Sequence, residues 1–232
     1  MSNTAVRKIQ LNHLEQAVRK MTAMEMEMLN RLEMATAALK QSLPEQPETV
    51  AINDEIAKGK KRINYIREIM SIVGRDAGDF VLTETRLADL VNAAADKIIR
   101  QFPQCRISLQ LSGEQELSMK LAAEPFALVI ETLMTNSCEA CLNAGRQELT
   151  VDIEFSTRKN TVCLRYQDNG PGIPEKLHEN IFDPFAAKES DKVGIGLAAS
   201  RLIMEKMMGG LFFDLNHRDG ACFNIKLVKP QP

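Results

Sequence analysis

An apolar seam at heptad spacing is the feature that most limits how this 232-residue chain can fold. In the first 40 residues, apolar side chains recur at alternating intervals of three and four, and Glu25 alone interrupts them. Side chains at this spacing lie along one side of an α-helix, so the seam predicts a long helix that needs a partner. The seam comprises Leu11, Leu14, Val18, Met21, Met28, Leu32, Ala35 and Leu39.

A second seam follows Pro44 and Pro47, which break the first helix. It comprises Ile52, Ile56, Gly59, Ile63, Ile66, Met70 and Val73. The two seams predict an antiparallel helical hairpin. One hairpin leaves an apolar stripe on each helix with little to bury it against, and pairing two hairpins in a four-helix bundle covers these stripes. We therefore expect residues 1–75 to be a dimerisation domain and the chain to form a homodimer.

The sequence pattern changes after GRDAG, residues 74–78, which predicts a domain boundary. Residues 76–232 mix helical periodicity with strand-like runs, some of them paired like hairpins, which is typical of an α+β sandwich with helices on one face of a sheet. The expected helices are at about Thr85–Gln101, Pro125–Ala144 and Gly196–Met208. The expected strands are Arg106–Leu111, Leu117–Leu121, Leu149–Ser156, Thr161–Tyr166, Leu211–Leu215 and Cys222–Val228.

Composition excludes several classes of protein. The net charge is −2 at pH 7, so no overall field favours nucleic acid or an anionic membrane as a partner. No apolar run approaches the roughly 20 residues that span a bilayer, and the polar N-terminus is unlike a signal peptide. We therefore expect a cytoplasmic protein without a membrane span. Its five cysteines are expected to be reduced thiols: Cys105, Cys138, Cys141, Cys163 and Cys222.

A predicted helix in the second domain carries a polar stripe beside an apolar one. Asn136, Glu139 and Asn143 are three and four residues apart and share a face. Oxygen-bearing side chains in this arrangement suit a cation site. The adjoining apolar face comprises Leu133, Ser137, Ala140 and Ala144.

The strand-like run TVCLRYQ leads into a second polar segment, DNGPGIP, residues 168–174. Gly170 and Gly172 allow a flat ligand to approach the backbone closely. The Asp168 carboxylate can accept a hydrogen bond from an exocyclic amine.

Two further segments suit an anion. The segment IFDPFAAKES supplies two phenylalanines as loop anchors and Lys188 as a cation for phosphates. The segment VGIGL contains Gly194, Gly196 and Leu197 and begins a predicted helix, whose N-terminal amides and dipole favour an anion. Each segment alone is a common turn, so the prediction depends on the order and spacing of all four.

In this order the four segments resemble the GHKL-type ATP-binding domain shared by histidine kinases, DNA gyrase, the ninety-kilodalton heat-shock chaperone and mismatch-repair proteins. The resemblance extends from about Phe80 to the C-terminus and is strongest to histidine kinases, including the nitrogen-regulatory type. It implies that the cofactors are ATP and Mg²⁺, that Asn136 ligates the metal and that Asp168 binds the adenine amine. The other nucleotide-binding residues that it implies are Glu139, Gly170, Gly172, Lys188, Gly194, Gly196 and Leu197.

Histidine kinases also carry a dimeric helical hairpin directly before the ATP-binding domain, as residues 1–75 are predicted to do. The resemblance implies phosphoryl transfer from ATP to a histidine of the hairpin and then to an aspartate on the receiver domain of a response regulator. About ten residues precede the first seam. We therefore expect the input to come from a separate sensor protein or through the bundle itself.

The chain departs from the kinase pattern at the phosphoacceptor. The family places a histidine about twenty residues before the turn between the helices, followed by an acidic residue, and Met24 and Glu25 occupy these positions here. Methionine has no nucleophilic nitrogen and cannot accept the phosphoryl group. His13, the only histidine of the predicted hairpin, is either a solvated surface residue or a displaced acceptor.

A second departure lies four residues before Asn136, where the family has Asn or Glu and this chain has Thr132, with Glu131 one position away. Three functions therefore stay open. The chain is an active histidine kinase, a nucleotide-sensing pseudokinase that docks a partner, or a serine kinase acting on an anti-anti-sigma partner. The long hairpin counts against the third.

Overall fold

The computed structural model describes residues 23–24, 26–38, 47–184 and 194–229. The chain divides into two compact units, Met1–Gly74 and Arg75–Pro232. Most of the first predicted seam, from Leu11 to Met21, and its last member Leu39 lie outside the described residues.

The described residues of the first unit form two antiparallel helices. Helix α1 is described at residues 23–24 and 26–38, and helix α2 is Pro47–Val73. The Oγ1 atom of Thr36 lies 3.0 Å from Oδ1 of Asn53, and Lys60 forms an ion pair with Glu33. Thr36, which follows Glu33 on α1, contacts Asn53, which precedes Lys60 on α2, so the two helices run antiparallel. The predicted hairpin is confirmed over the described residues.

The two seams have different environments in the hairpin. The α2 seam is largely buried, at Ile56, Ile63, Ile66, Met70 and Val73. On α1, the residue that contacts Asn53 is the buried Thr36, which borders the seam four residues after Leu32. Four α1 residues spaced along one side are exposed, and we call them the outer stripe: Met24, Met28, Leu32 and Ala35.

The described residues of the second unit form a five-stranded sheet, a separate two-stranded sheet and three α-helices. The strands are β1 Thr83–Arg86, β2 Arg106–Gly113, β3 Ser118–Leu121, β4 Glu148–Arg158, β5 Thr161–Asp168, β6 Gly210–Phe213 and β7 Cys222–Val228. The α-helices are α3 Leu87–Gln101, α4 Ala123–Asn143 and α5 Gly196–Lys206, and there are short 3₁₀ helices at Ala77–Asp79 and Glu175–Leu177.

The large sheet has the strand order β2-β4-β5-β7-β6. Strands β2 and β4 are parallel, and the other neighbours are antiparallel. Alternate residues of β4 and β5 are buried, and helices α3, α4 and α5 contact β2, β4 and β6 respectively. The helices therefore cover one face of the sheet, and the predicted α+β sandwich is confirmed.

The helix expected from about Thr85 begins at Leu87, because Thr85 and Arg86 pair with β3 as part of β1. Hairpin-like antiparallel pairs are present, β4 with β5 and β6 with β7, whereas β2 pairs with β4 and β3 pairs with β1. Pairing between strands distant in the chain depends on packing and leaves no local signal.

Among the described residues, no helix is both long enough and apolar enough to cross a membrane.

Candidate functional site

The Asp168 carboxylate lies at the end of β5 and is almost fully buried. Its Oδ1 atom accepts hydrogen bonds from the backbone amides of Gly170 and Ala221, each at 3.0 Å. Its Oδ2 atom accepts a hydrogen bond from the Ser137 hydroxyl at 2.5 Å. Donors from the loop after β5, from the residue before β7 and from helix α4 therefore hold one carboxylate in place.

Ser137 and Tyr166 form a buried polar pair behind Asp168. The Ser137 Oγ and Tyr166 Oη atoms are 2.8 Å apart, and Tyr166 is fully buried. Burial, together with the negative charge of Asp168, raises the pKa of Tyr166 well above its usual value. The phenol therefore keeps its proton and can donate it in a hydrogen bond.

Glycines bring the backbone close to Asp168. Gly220 has φ +108°, and a Cβ atom there would lie 1.8 Å from the carbonyl oxygen of Asp168. Gly172 has φ +77°, and its Cβ would lie 3.2 Å from the carbonyl oxygen of Gly220. The loop after β5 and the turn before β7 thus touch through positions that suit only glycine.

The loop that begins at Asp168 is also tied to the start of β4. The Oδ1 atom of Asn169 accepts a hydrogen bond from the Thr150 amide at 2.8 Å. The Arg146 guanidinium donates to the backbone oxygen of Asn169 at 3.1 Å. These bonds fix the direction in which the backbone leaves Asp168.

Helix α4 places Asn136 and Glu139 at half-exposed positions, one residue and two residues away from the buried Ser137. Asn143, the last residue of the helix, is exposed. Ser137, which sequence reasoning placed on the apolar face, is buried but acts as a hydrogen-bond donor. Ala144, assigned to the same apolar face, caps the helix and is exposed, so that part of the prediction was wrong.

The two α4 residues near the position where the family has Asn or Glu are engaged elsewhere. The buried Thr132 donates its hydroxyl to the backbone oxygen of Leu128 at 2.8 Å. Glu131 forms an ion pair with Lys97 at 2.6 Å. The position four residues before Asn136 therefore supplies no carboxylate or carboxamide to the site.

The described residues contain no group of three or more His, Cys, Asp or Glu side chains able to hold a metal ion. All five cysteines are free thiols in the structure, and only Cys163 is not buried. Burial raises the pKa of the Cys138 thiol, which makes it unreactive.

The beginning of α5 has the features of an anion site. Gly196 is its first residue, Leu197 follows, and Gly194 precedes it with φ +67°. The first turn contains no acidic residue that would compete for the N-terminal amides. Helix α5 contacts α4. The start of α5, predicted to bind phosphates, and the Asn136 face of α4, predicted to bind a cation, therefore belong to neighbouring helices.

The segment between the DNG loop and α5 is described as far as residue 184. Its Phe182 ring lies under the Arg201 guanidinium at 5.0 Å and meets the edge of Phe223 at 6.4 Å. One of the two predicted loop anchors thus packs against α5 and β7. Lys188, together with His13 and Glu25, lies outside the described residues.

The sequence reasoning did not identify four residues that support Asp168. Gly220 lies against the Asp168 main chain, and Ala221 and Ser137 donate hydrogen bonds to its carboxylate. Tyr166 bonds the Ser137 hydroxyl behind it. Two signals were available. The Asp-Gly pair that ends at Gly220 is a turn signal before the last strand. A tyrosine at a core-facing strand position needs a partner for its hydroxyl, which predicts a buried polar contact.

Comparison with known proteins adds independent information. Residues 122–231 match the family described as histidine kinase-, DNA gyrase B-, and HSP90-like ATPase. The chain is 32% identical over 107 residues to the sensor protein CitS of Halalkalibacterium halodurans, covering 46% of this chain and 20% of CitS. It is 27% identical over 189 residues to the C4-dicarboxylate transport sensor protein DctB of Rhizobium meliloti, covering 79% of this chain and 29% of DctB. The chain thus spans less than a third of the length of these two relatives.

Solved structures share the fold. The catalytic domain of histidine kinase ThkA matches with a TM-score of 0.56 at 23% identity, covering 64% of this chain and 95% of that domain. Full-length ShkA in complex with AMPPNP matches with a TM-score of 0.69 at 14% identity, covering 94% of this chain and 47% of ShkA. At these identities the likeness concerns the fold.

Proposed function

Because residues 122–231 form an ATP-binding domain of the histidine kinase-, DNA gyrase B-, and HSP90-like family, we propose that this chain is a histidine-kinase-like signalling protein. In this proposal it binds Mg-ATP and works with a response regulator in a two-component pathway. The observation that carries the proposal is the buried Asp168 carboxylate, which is held by three donors beside a glycine-rich loop.

The proposed nucleotide contacts follow from the chemistry of each element. The Asp168 carboxylate accepts a hydrogen bond from the adenine amine, and the loop containing Gly170 and Gly172 lies against the flat base. The first amides of α5, around Gly196 and Leu197, bind phosphate oxygens. Lys188 would add a cation to the phosphates. Together these elements select an adenine nucleotide with a polyphosphate chain.

Magnesium fits this site only as an ion that is shared between protein side chains and the phosphates of the nucleotide. The described residues provide no protein cage of three acidic or nitrogen ligands, whereas Mg²⁺ commonly binds to one or two side chains together with substrate phosphates. Asn136 would supply a carboxamide oxygen, and Glu139 lies three residues further along α4. When bound, the ion neutralises phosphate charge during phosphoryl transfer.

The hairpin is proposed to form the dimer and to dock the response regulator. The outer stripe exposes 64% of Met24, 57% of Met28 and 45% of Leu32. Apolar side chains along one side of a helix are typical of a bundle interface. A second hairpin that covers this stripe would complete a four-helix bundle.

A pseudokinase that docks its partner without phosphoryl transfer is the second candidate function. The observation that favours it is Met24, which occupies the acceptor position and is exposed on α1. At about 1.5 Å of rise per residue, His13 would lie roughly 16 Å along a continuous helix from Met24. An ATP-binding domain that reaches position 24 would therefore not reach position 13.

Labelling with γ-phosphate-labelled Mg-ATP tests which candidate is right. We expect no acid-labile phosphate in the wild-type chain, because position 24 has no nucleophile, and we expect label in Met24→His, because the retained Glu25 would then polarise a histidine. Met34→His is the matched control, since Met34 is exposed on the same helix but away from the acceptor position. Wild-type labelling that His13→Gln abolishes would contradict the pseudokinase and show a displaced acceptor.

A further inference from the structure

We infer that Ser137 and Tyr166 are positioning residues for base recognition, which hold Asp168 so that a single acceptor position on Oδ2 faces the exocyclic amine of the base. This inference rests on the proposed binding of ATP. It assigns a function to two buried hydroxyls of the second unit.

The protein uses three of the acceptor positions of the Asp168 carboxylate. An ionised carboxylate offers about four acceptor positions, two on each oxygen. The Oδ1 atom uses both of its positions for the amides of Gly170 and Ala221. The Oδ2 atom uses one position for the Ser137 hydroxyl and has no other donor among the described residues. One position on Oδ2 is left for a ligand.

The hydrogen bonds that join Tyr166, Ser137 and Asp168 run in one direction, toward the carboxylate. Ser137 has one hydroxyl proton and three neighbours: Asp168 Oδ2 at 2.5 Å, Tyr166 Oη at 2.8 Å and Leu133 O at 3.1 Å. The charged and nearest acceptor takes the proton, since hydrogen bonds to an ionised group are shorter and stronger. Tyr166 then donates to Ser137. Each bond polarises the next, so the Tyr166 hydroxyl strengthens the bond from Ser137 to Asp168.

The fixed carboxylate discriminates between purine bases. A carboxylate oxygen fixed in this way accepts a hydrogen bond from a 6-amino group and repels a 6-keto group, which presents an acceptor to an acceptor. The pair therefore favours a 6-aminopurine nucleotide over a 6-oxopurine nucleotide. Without the Ser137 hydroxyl, Oδ2 has two open positions, and the carboxylate loses the donor that fixes its rotation.

The test compares ATP with purine riboside 5′-triphosphate, which differs from ATP only in lacking the exocyclic amine. Calorimetric titration of the full chain with each nucleotide gives the ratio of the two affinities. In the wild type we expect ATP to bind about tenfold or more tightly than the analogue, as for a hydrogen bond to a charged group. In Ser137→Ala we expect the ratio to fall to about threefold or less, with analogue affinity nearly unchanged.

Two further variants separate positioning from a general effect on folding. Tyr166→Phe removes one oxygen atom from a buried ring and should lower the ratio to an intermediate value. Thr132→Ala removes another buried hydroxyl of α4, whose bond goes to Leu128 O, and should leave the ratio unchanged. A purely structural role for Ser137 would weaken both nucleotides equally.

An unchanged ratio in Ser137→Ala, with tight wild-type ATP binding, would overturn the inference and leave the proposed function intact. Wild-type protein that binds neither nucleotide would overturn the proposed function, and the inference with it.

Discussion

Gly220→Ala is expected to abolish measurable ATP binding and to destabilise the second unit by about 3 kcal/mol or more. The added Cβ would lie 1.8 Å from the Asp168 carbonyl oxygen and 2.7 Å from its carbon, at a backbone φ of +108°. Either Gly220 or Asp168 must move. The movement breaks the reciprocal pair in which Asp168 N–H donates to Ala221 O and Ala221 N–H donates to Asp168 Oδ1, each at 3.0 Å.

Gly145→Ala is the matched control for this prediction. Gly145 also has a positive φ, +72°, but a Cβ there would meet no atom within 4 Å. Gly145→Ala is therefore expected to lower the free energy of unfolding only through the strain of the left-handed backbone, by about 1 kcal/mol. Thermal unfolding should therefore show a drop of about 6–12 °C for Gly220→Ala and about 2–4 °C for Gly145→Ala. Equal drops and retained ATP binding in Gly220→Ala would show that the close approach of the turn to Asp168 does not occur.

Leu32→Glu is expected to dissociate the proposed dimer, raising its dissociation constant at least about a hundredfold. Leu32 lies in the middle of the outer stripe and is 45% exposed in the single chain. A two-fold interface would bring two added carboxylates into its apolar centre, and burying an unpaired charge costs several kcal/mol even after relaxation.

Light scattering at micromolar concentration measures this effect as a change from twice the 25.9 kDa chain mass to the chain mass itself. Met34→Glu provides the control, because Met34 is 74% exposed on the same helix but lies outside the outer stripe. We expect Met34→Glu to stay dimeric. A well-folded wild-type monomer under these conditions would contradict the proposed bundle.

The elements with strong periodic signals could be predicted from the sequence. Helix α2 ends at Val73, directly before the GRDAG segment that predicted its end, and β7 has the predicted bounds Cys222–Val228. In both cases the local signal and the tertiary environment agree. The partners of strands were not predictable in this way. The pairing of β1 with β3 joins residues more than thirty positions apart, and no local pattern in the run 83–86 predicts it.

In the site, too, residues with a local signal could be predicted and residues brought in by long-range contacts could not. Asp168 and the glycines of its loop could be predicted because they lie together in one segment and their chemistry is explicit. Gly220 and Ala221 support the same carboxylate from more than fifty residues away, and only the fold brings them to it. Ser137 shows the limit most clearly. Its spacing on α4 placed it correctly among buried residues, but spacing does not reveal that its hydroxyl meets a carboxylate there.

The central claim is that this chain binds Mg-ATP through Asp168. Calorimetric titration of the full chain with ATP tests it, with and without Mg²⁺, in the wild type, in Asp168→Asn and in the control Asp152→Asn, which alters an exposed β4 carboxylate. We predict millimolar or tighter binding that requires Mg²⁺. We also predict that Asp168→Asn weakens it by about 1–3 kcal/mol, because the amide NH2 group that replaces Oδ2 presents a donor to the Ser137 hydroxyl and to the adenine amine, and that Asp152→Asn leaves it unchanged. Equal affinity in the wild type and Asp168→Asn, or no wild-type binding at all, would contradict the account.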